Sequence, residues 1–87
     1  MASPEFQDCP PDRPHLTGYD EAHLDDYLRL LDAAEQATDW RRVVSDLFGV
    51  DPAAEPDRAR IVHNSHLARA RWMTEVGYAY LLGPRLN

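Results

Sequence analysis

Four arginines, Arg58, Arg60, Arg69 and Arg71, fall in one stretch with helical character. A guanidinium group can grip a phosphate or the edge of a guanine with two parallel hydrogen bonds. Arginines on a helix that follows a turn therefore suggest nucleic-acid recognition. On a helical wheel they divide into two groups. Arg58 and Arg69 sit together between apolar positions, and Arg60 and Arg71 share a polar strip with Asn64 and Glu75. Asp57 and Glu75 dilute the charge, whereas a phosphate-binding surface rests on clustered basic groups. The competing reading is that these arginines pair with the acids of the first helix.

No constellation for catalysis is visible. His63 and His66 are three residues apart, and Cys9 and His23 are distant in sequence. A zinc site normally needs three or four ligands at recognisable spacing, so no metal is expected. Ser65 precedes His66 without a local acid to orient the imidazole, so a nucleophilic triad is unsupported. The histidines read as solvent contacts or helix-face hydrogen-bonding groups. With no glycine-rich phosphate loop either, the chain is expected to be no enzyme and to carry no cofactor. Cys9, the single cysteine, reads as an exposed bystander that cannot form an internal disulfide.

The 87 residues suit one small domain. All nine basic residues are arginine, and the formal net charge is −6. The acidity belongs to the front: residues 1–36 hold nine acids and two arginines, whereas residues 37–87 hold six acids and seven arginines. Such a balance disfavours non-specific affinity for DNA. No apolar run is long enough to span a bilayer and no secretory leader is evident, so the expectation is a soluble, cytoplasmic protein.

These residues need a scaffold, and the periodicity predicts an all-α one: three main helices and a short last helix, with no alternating strand pattern. Residues 1–16 hold four of the seven prolines and read as a flexible arm, leaving 17–87 as a single helical domain. The first helix is expected over 20–36, capped by Thr17 or Asp20. Its apolar stripe would be Leu24, Tyr27, Leu28, Leu31 and Ala34, with Asp25, Asp26, Arg29 and Asp32 turned away. Leu30 lies off that stripe.

The second helix is expected over 39–48, capped by Thr38, and its stripe is Trp40, Val43, Val44, Leu47 and Phe48. Gly49 suits a left-handed stop. A third helix begins near Pro56, with an earlier start available at Asp51–Pro52, and runs to about Val76. It either breaks near Asn64–Ser65 or continues unbroken, with one face packed in the domain and the other meeting a partner or a twin subunit; the continuous form is preferred. Tyr27, Trp40, Phe48 and Trp72 read as core. The last helix, 78–82, carries Tyr78, Tyr80, Leu81 and Leu82, more apolar surface than one short helix buries.

Three stretches carry a family resemblance: LTGYDEAHLDDYLRLLDA (16–33), DWRRVVSDLFGVDP (39–52) and SHLARARWMTEVGYAYLL (65–82). They resemble the helical domain family found on bacterial integrative and conjugative elements, whose small stand-alone members act as quorum-sensing antiactivators. The resemblance implies a helix-turn-helix-like bundle that works by protein–protein contact. The implied partners are a LuxR-type quorum-sensing activator and an activator of element excision, whose inhibition represses conjugative transfer. This sequence departs from the family before Trp40, where a glycine is common and Glu35-Gln36-Ala37-Thr38 stands instead.

Together these readings favour an antiactivator over a DNA-binding helix-turn-helix regulator. The expected partner-binding residues are Arg58, Arg60, Arg69 and Arg71, with Tyr78, Tyr80, Leu81 and Leu82.

Overall fold

A computed structural model describes residues 6–77. Among them are four α-helices and no strand: α1 (Gly18–Ala22), α2 (Leu24–Glu35), α3 (Trp40–Phe48) and α4 (Pro56–Trp72), followed by one widened π-helical turn, Met73–Gly77. The all-α class and the helix-turn-helix-like arrangement are as the sequence predicts. The helix expected over 78–82 lies outside the described residues.

The first predicted helix is two. Thr17 caps α1 in a reciprocal arrangement: its hydroxyl accepts from the Asp20 backbone N–H, and the Asp20 carboxylate accepts from the Thr17 backbone N–H. The chain turns at His23 and restarts as α2. The buried face is also not the predicted stripe. Tyr27 is buried as expected, but Leu24 and Leu28 are 42% and 52% exposed and Ala34 faces solvent. Buried in their place are Asp20, His23, Asp26 and Leu30. An apolar-periodicity argument ranks acids as outward, yet a buried acid is tolerated when its oxygens are satisfied.

α2 ends in a stop of the kind that glycine usually provides. The Ala37 N–H bonds the Ala34 carbonyl and the Thr38 N–H bonds the Ala33 carbonyl, the paired 5→2 and 6→1 bonds of a Schellman stop. That geometry puts Ala37 at φ 55°, in the left-handed region where a β-carbon is unfavourable.

α3 follows its predicted phase. Val43, Val44 and Phe48 are buried, with Trp40 and Leu47 packed at the edge. Its cap is Asp39 rather than Thr38, since the Asp39 carboxylate accepts from the Arg41 N–H. Gly49, at φ 69°, ends the helix. In the turn that follows, the Asp51 side chain accepts from the Ala53 N–H and its carbonyl from the Glu55 N–H. Val50 tucks into the core there.

α4 begins at Pro56, as predicted, and passes through Asn64 and Ser65 without a break. It packs on α2 and α3 through Ala59, Val62, His66, Ala70 and, beyond its last turn, Met73. Its second contacted face carries Arg58, Ser65, Arg69 and Trp72, and the covering segment is the protein's own residues 6–16. Composition predicts a flexible arm there. The described part has no regular element, but Phe6 packs on the core, edge-on to Phe48 with centroids 5.1 Å apart. Proline fixes φ and lowers the entropy lost when such a segment is laid down.

Candidate functional site

Arg69 ties three segments together. Its Nη2 and Nε donate to the two carboxylate oxygens of Asp20, at 2.7 and 3.0 Å. Nη1 donates to the Arg13 carbonyl at 2.7 Å and Nη2 also to the His15 carbonyl at 2.9 Å. Its guanidinium carbon lies 3.9 Å from the centre of the Trp72 ring. Arg69 and Asp20 are 6% and 1% exposed, so this is a fully desolvated pair whose strength depends on complete hydrogen bonding. Burial alone would raise the Asp20 pKa. The Arg69 contact, helped by Thr17 and the Tyr27 hydroxyl at 2.8 Å, outweighs it and holds the carboxyl below its ordinary value. Tyr27 is shifted upward, first by burial and then by donating to Asp20.

Beside that pair lies an aromatic and imidazole cluster. His66 is fully buried, 4.6 Å from the Phe48 ring centre. Tyr19 stacks on His23 at 4.2 Å, and His23 Nδ1 approaches an Asp26 oxygen at 3.2 Å. His66 Nδ1 faces the Val62 carbonyl at 2.8 Å, four residues back on its own helix. A carbonyl only accepts, so that nitrogen carries the proton, and Nε2 is left to accept from the Tyr19 hydroxyl. Burial lowers the His66 pKa, although the Val62 hydrogen bond opposes it.

The four arginines thus have different positions. Arg69 is an interior clamp. Arg58 is half-buried, with Nε 3.0 Å from Asp8, a further contact to Glu55, and its guanidinium over Phe6. Arg60 and Arg71 are exposed; Arg60 lies over Trp40 with its guanidinium carbon 5.0 Å from the ring centre. The expected pairing of arginines with first-helix acids holds for Arg69, while Arg58 finds its acid in the N-terminal segment. Tyr78, Tyr80, Leu81 and Leu82 lie outside the described residues.

Ser65 does not meet His66: its hydroxyl donates to the Asp8 carbonyl at 2.9 Å. His63 faces Asn64 and stands beside Trp40. Among the described residues no group of three or more His, Cys, Asp and Glu side chains could hold a metal ion, and Cys9 is exposed. No described helix is long and apolar enough to cross a membrane.

Two features were missed from sequence. One is the buried network of Tyr19, Asp20, His23, Asp26 and His66; its only local signal is the three-residue spacing of Thr17 and Asp20. The other is an apolar groove of about 510 Å³ lined by Leu16, Asp20, Glu21, Leu24, Leu28, Met73 and Thr74. It arises because Leu24 and Leu28 point out of the bundle. Comparison of the chain with protein-family models and with curated proteins gives no match.

Proposed function

We propose that this protein is an antiactivator: a small acidic helical protein that binds a transcriptional activator and blocks it. The observation that supports this most is the allocation of the α4 arginines. In a DNA-reading helix they would turn outward, whereas Arg69 and Arg58 are engaged by Asp20 and Asp8. Arg60 and Arg71 remain on the exposed face, next to Asp57 and Glu75. With a net charge of −6 the surface complements a basic, DNA-binding partner better than a phosphate backbone.

The sequence resemblance supplies the partner class: a LuxR-type quorum-sensing activator, an excision activator, or both. Binding either would repress transfer of a conjugative element. The reading is of a binding protein, with no reaction assigned. Pull-down of purified activator by the tagged protein, alongside a mobility-shift assay on the protein alone, tests it. The expected result is capture of the activator and no shift of DNA at about 150 mM salt; tight DNA binding by the protein alone would overturn it.

A DNA-binding regulator is the second reading, favoured by the α3–turn–α4 arrangement with Arg60, Asn64 and Arg71 exposed on α4. It requires that Arg60→Ala with Arg71→Ala weaken DNA binding and flatten its salt dependence.

A further inference from the structure

Leucine at positions 24 and 28 is spaced to line one side of α2, and in a packed bundle that side would be expected to face inward. Here it faces outward. α2 presents Tyr27 and Leu30 to the core, and the turn at His23 fixes that rotation by burying His23 and Asp26 on the same side. Leu24 and Leu28 instead line one wall of the 510 Å³ groove; Leu16 and Met73 complete its apolar lining. Ile61, the other large exposed aliphatic among the described residues, stands on α4 outside this lining and is the kind of single surface residue that needs no explanation.

The groove has an acidic margin. Glu21 lines it and is exposed, and Glu75, also exposed, follows Thr74, which lines it too. Among the described residues no ion pair engages Glu21 or Glu75. Asp25 stands next to Leu24, paired with Arg29 at 3.3 Å, and both are well exposed, so solvent and salt weaken that pairing. Four of the six acids of α1 and α2, Glu21, Asp25, Asp32 and Glu35, are exposed, against one arginine, Arg29. A second copy of the chain would bring the same acids against these and be repelled, as would an acidic segment.

We infer that this groove is a docking site for an amphipathic helix of a protein partner, one with an apolar stripe flanked by lysine or arginine. The apolar stripe displaces water from Leu16, Leu24, Leu28 and Met73, and the flanking cations meet Glu21 and Glu75. This rests on the reading of the protein as one that binds another protein, and it names the surface used. An anchoring pair one turn apart on α2 matches the one-turn spacing of apolar residues along such a helix.

The test uses the full chain, isotope-labelled, with two 14-residue probes in leucine and lysine (LKKLLKLLKKLLKL) or in leucine and glutamate at the same positions. The leucine–lysine peptide is expected to shift resonances of Leu16, Leu24, Leu28 and Met73, and the leucine–glutamate peptide to leave them in place. Leu28→Asp should weaken binding about tenfold or more, the effect of losing one buried leucine anchor. Leu28 is half exposed, so this chain keeps its fold, which its thermal midpoint checks. Glu21→Lys, which leaves the apolar lining intact, should weaken binding several-fold and reduce its salt dependence.

The inference is overturned if the peptide shifts Ile61 and Arg60 in place of the groove residues, or if both probes bind alike. No binding, or unchanged affinity in the Leu28→Asp chain, also overturns it. So would movement of the Leu24 and Leu28 resonances on Leu81→Asp alone, since the occupant would then be the chain's own C-terminal segment. An activator captured equally well by wild type and Leu28→Asp removes the groove and leaves the antiactivator reading. A leucine–lysine peptide that binds while neither activator is captured does the reverse.

Discussion

The Tyr19 hydroxyl stands 2.6 Å from Nε2 of His66, while the other ring nitrogen of His66 faces the Val62 carbonyl 2.8 Å away. Both nitrogens are committed, and the arrangement suits the neutral ring: Nδ1 donates and Nε2 accepts. The Gln7 backbone N–H donates to the same hydroxyl at 3.0 Å, so the packing of the N-terminal segment depends on this phenol. Protonation would make Nε2 a donor and force the Tyr19 proton to turn elsewhere.

Stability should therefore fall on mild acidification. Burial sets the His66 pKa below its ordinary value of 6.5, so the unfolded chain takes up the proton first. The contribution is fully present above about pH 6.5 and is lost as pH drops from there toward the folded-state pKa. His23 and Asp26 are the titratable neighbours within the cluster, and Asp8 lies farther out. Thermal midpoints between pH 7.5 and 5 should decline, and His66→Leu should remove most of that slope while lowering the midpoint at pH 7.5.

Breaking the Asp20–Arg69 clamp should cost far more than its replacement. Asp20→Ala leaves the buried Arg69 charge uncompensated, a loss of about 3 to 5 kcal/mol. For a domain this small that is most of the stability. Asp20→Leu with Arg69→Met should recover part of the loss, because no unpaired charge is then left at this site, although the Arg13 and His15 carbonyls and the Tyr27 hydroxyl lose their partners. In the wild type the Asp20 contribution is present above about pH 3.8 and disappears as pH falls through its lowered folded-state pKa. Urea unfolding of the three proteins measures the first effect, and acid titration the second.

Two left-handed positions should respond in opposite directions. Gly49→Ala places a β-carbon at φ 69°; no heavy atom lies within 4 Å, so the cost is backbone strain alone, about 1 kcal/mol. Ala37→Gly relieves the same strain at φ 55° and should raise stability by about 0.5–1 kcal/mol. Denaturant midpoints compared at equal m-value decide both.

The N-terminal segment should be held by its aromatic anchor more than by its charge. Phe6→Ala loses the Phe48 contact, worth about 1 kcal/mol beyond the area uncovered. Asp8→Asn loosens an exposed contact to Arg58 and should leave the midpoint nearly unchanged in physiological salt. Tyr19 resonances in the two variants would report whether residue 7 has lifted.

Much of the helical plan was legible because local rules decide it. The α3 stripe, the Gly49 stop and the Pro56 start each depend on residues within one or two turns of each other. The first helix was misread for a non-local reason. Its periodicity favoured Leu24 and Leu28, but burial of Asp20 depends on Arg69, forty-nine residues onward. No neighbour of Asp20 announces that partner. The same holds for His66, whose hydroxyl donor comes from Tyr19. Residues 6–16 look unstructured because they are held mainly through backbone groups of Gln7, Asp8, Arg13 and His15 and through the isolated side chains of Phe6 and Asp8, a scatter that leaves no periodic pattern.

The Arg69 clamp also bears on the order of folding. Its acceptors on Arg13, His15 and Asp20 precede it by 49 to 56 residues, so none meets the guanidinium until α4 has been synthesised. Before then the Asp20 carboxylate has no cation to meet, and α1 is only five residues long. Closing so long a loop carries an entropic barrier that local helix formation cannot offset. During translation the front half should therefore stay uncommitted until α4 emerges, and the bundle should then assemble in one cooperative step.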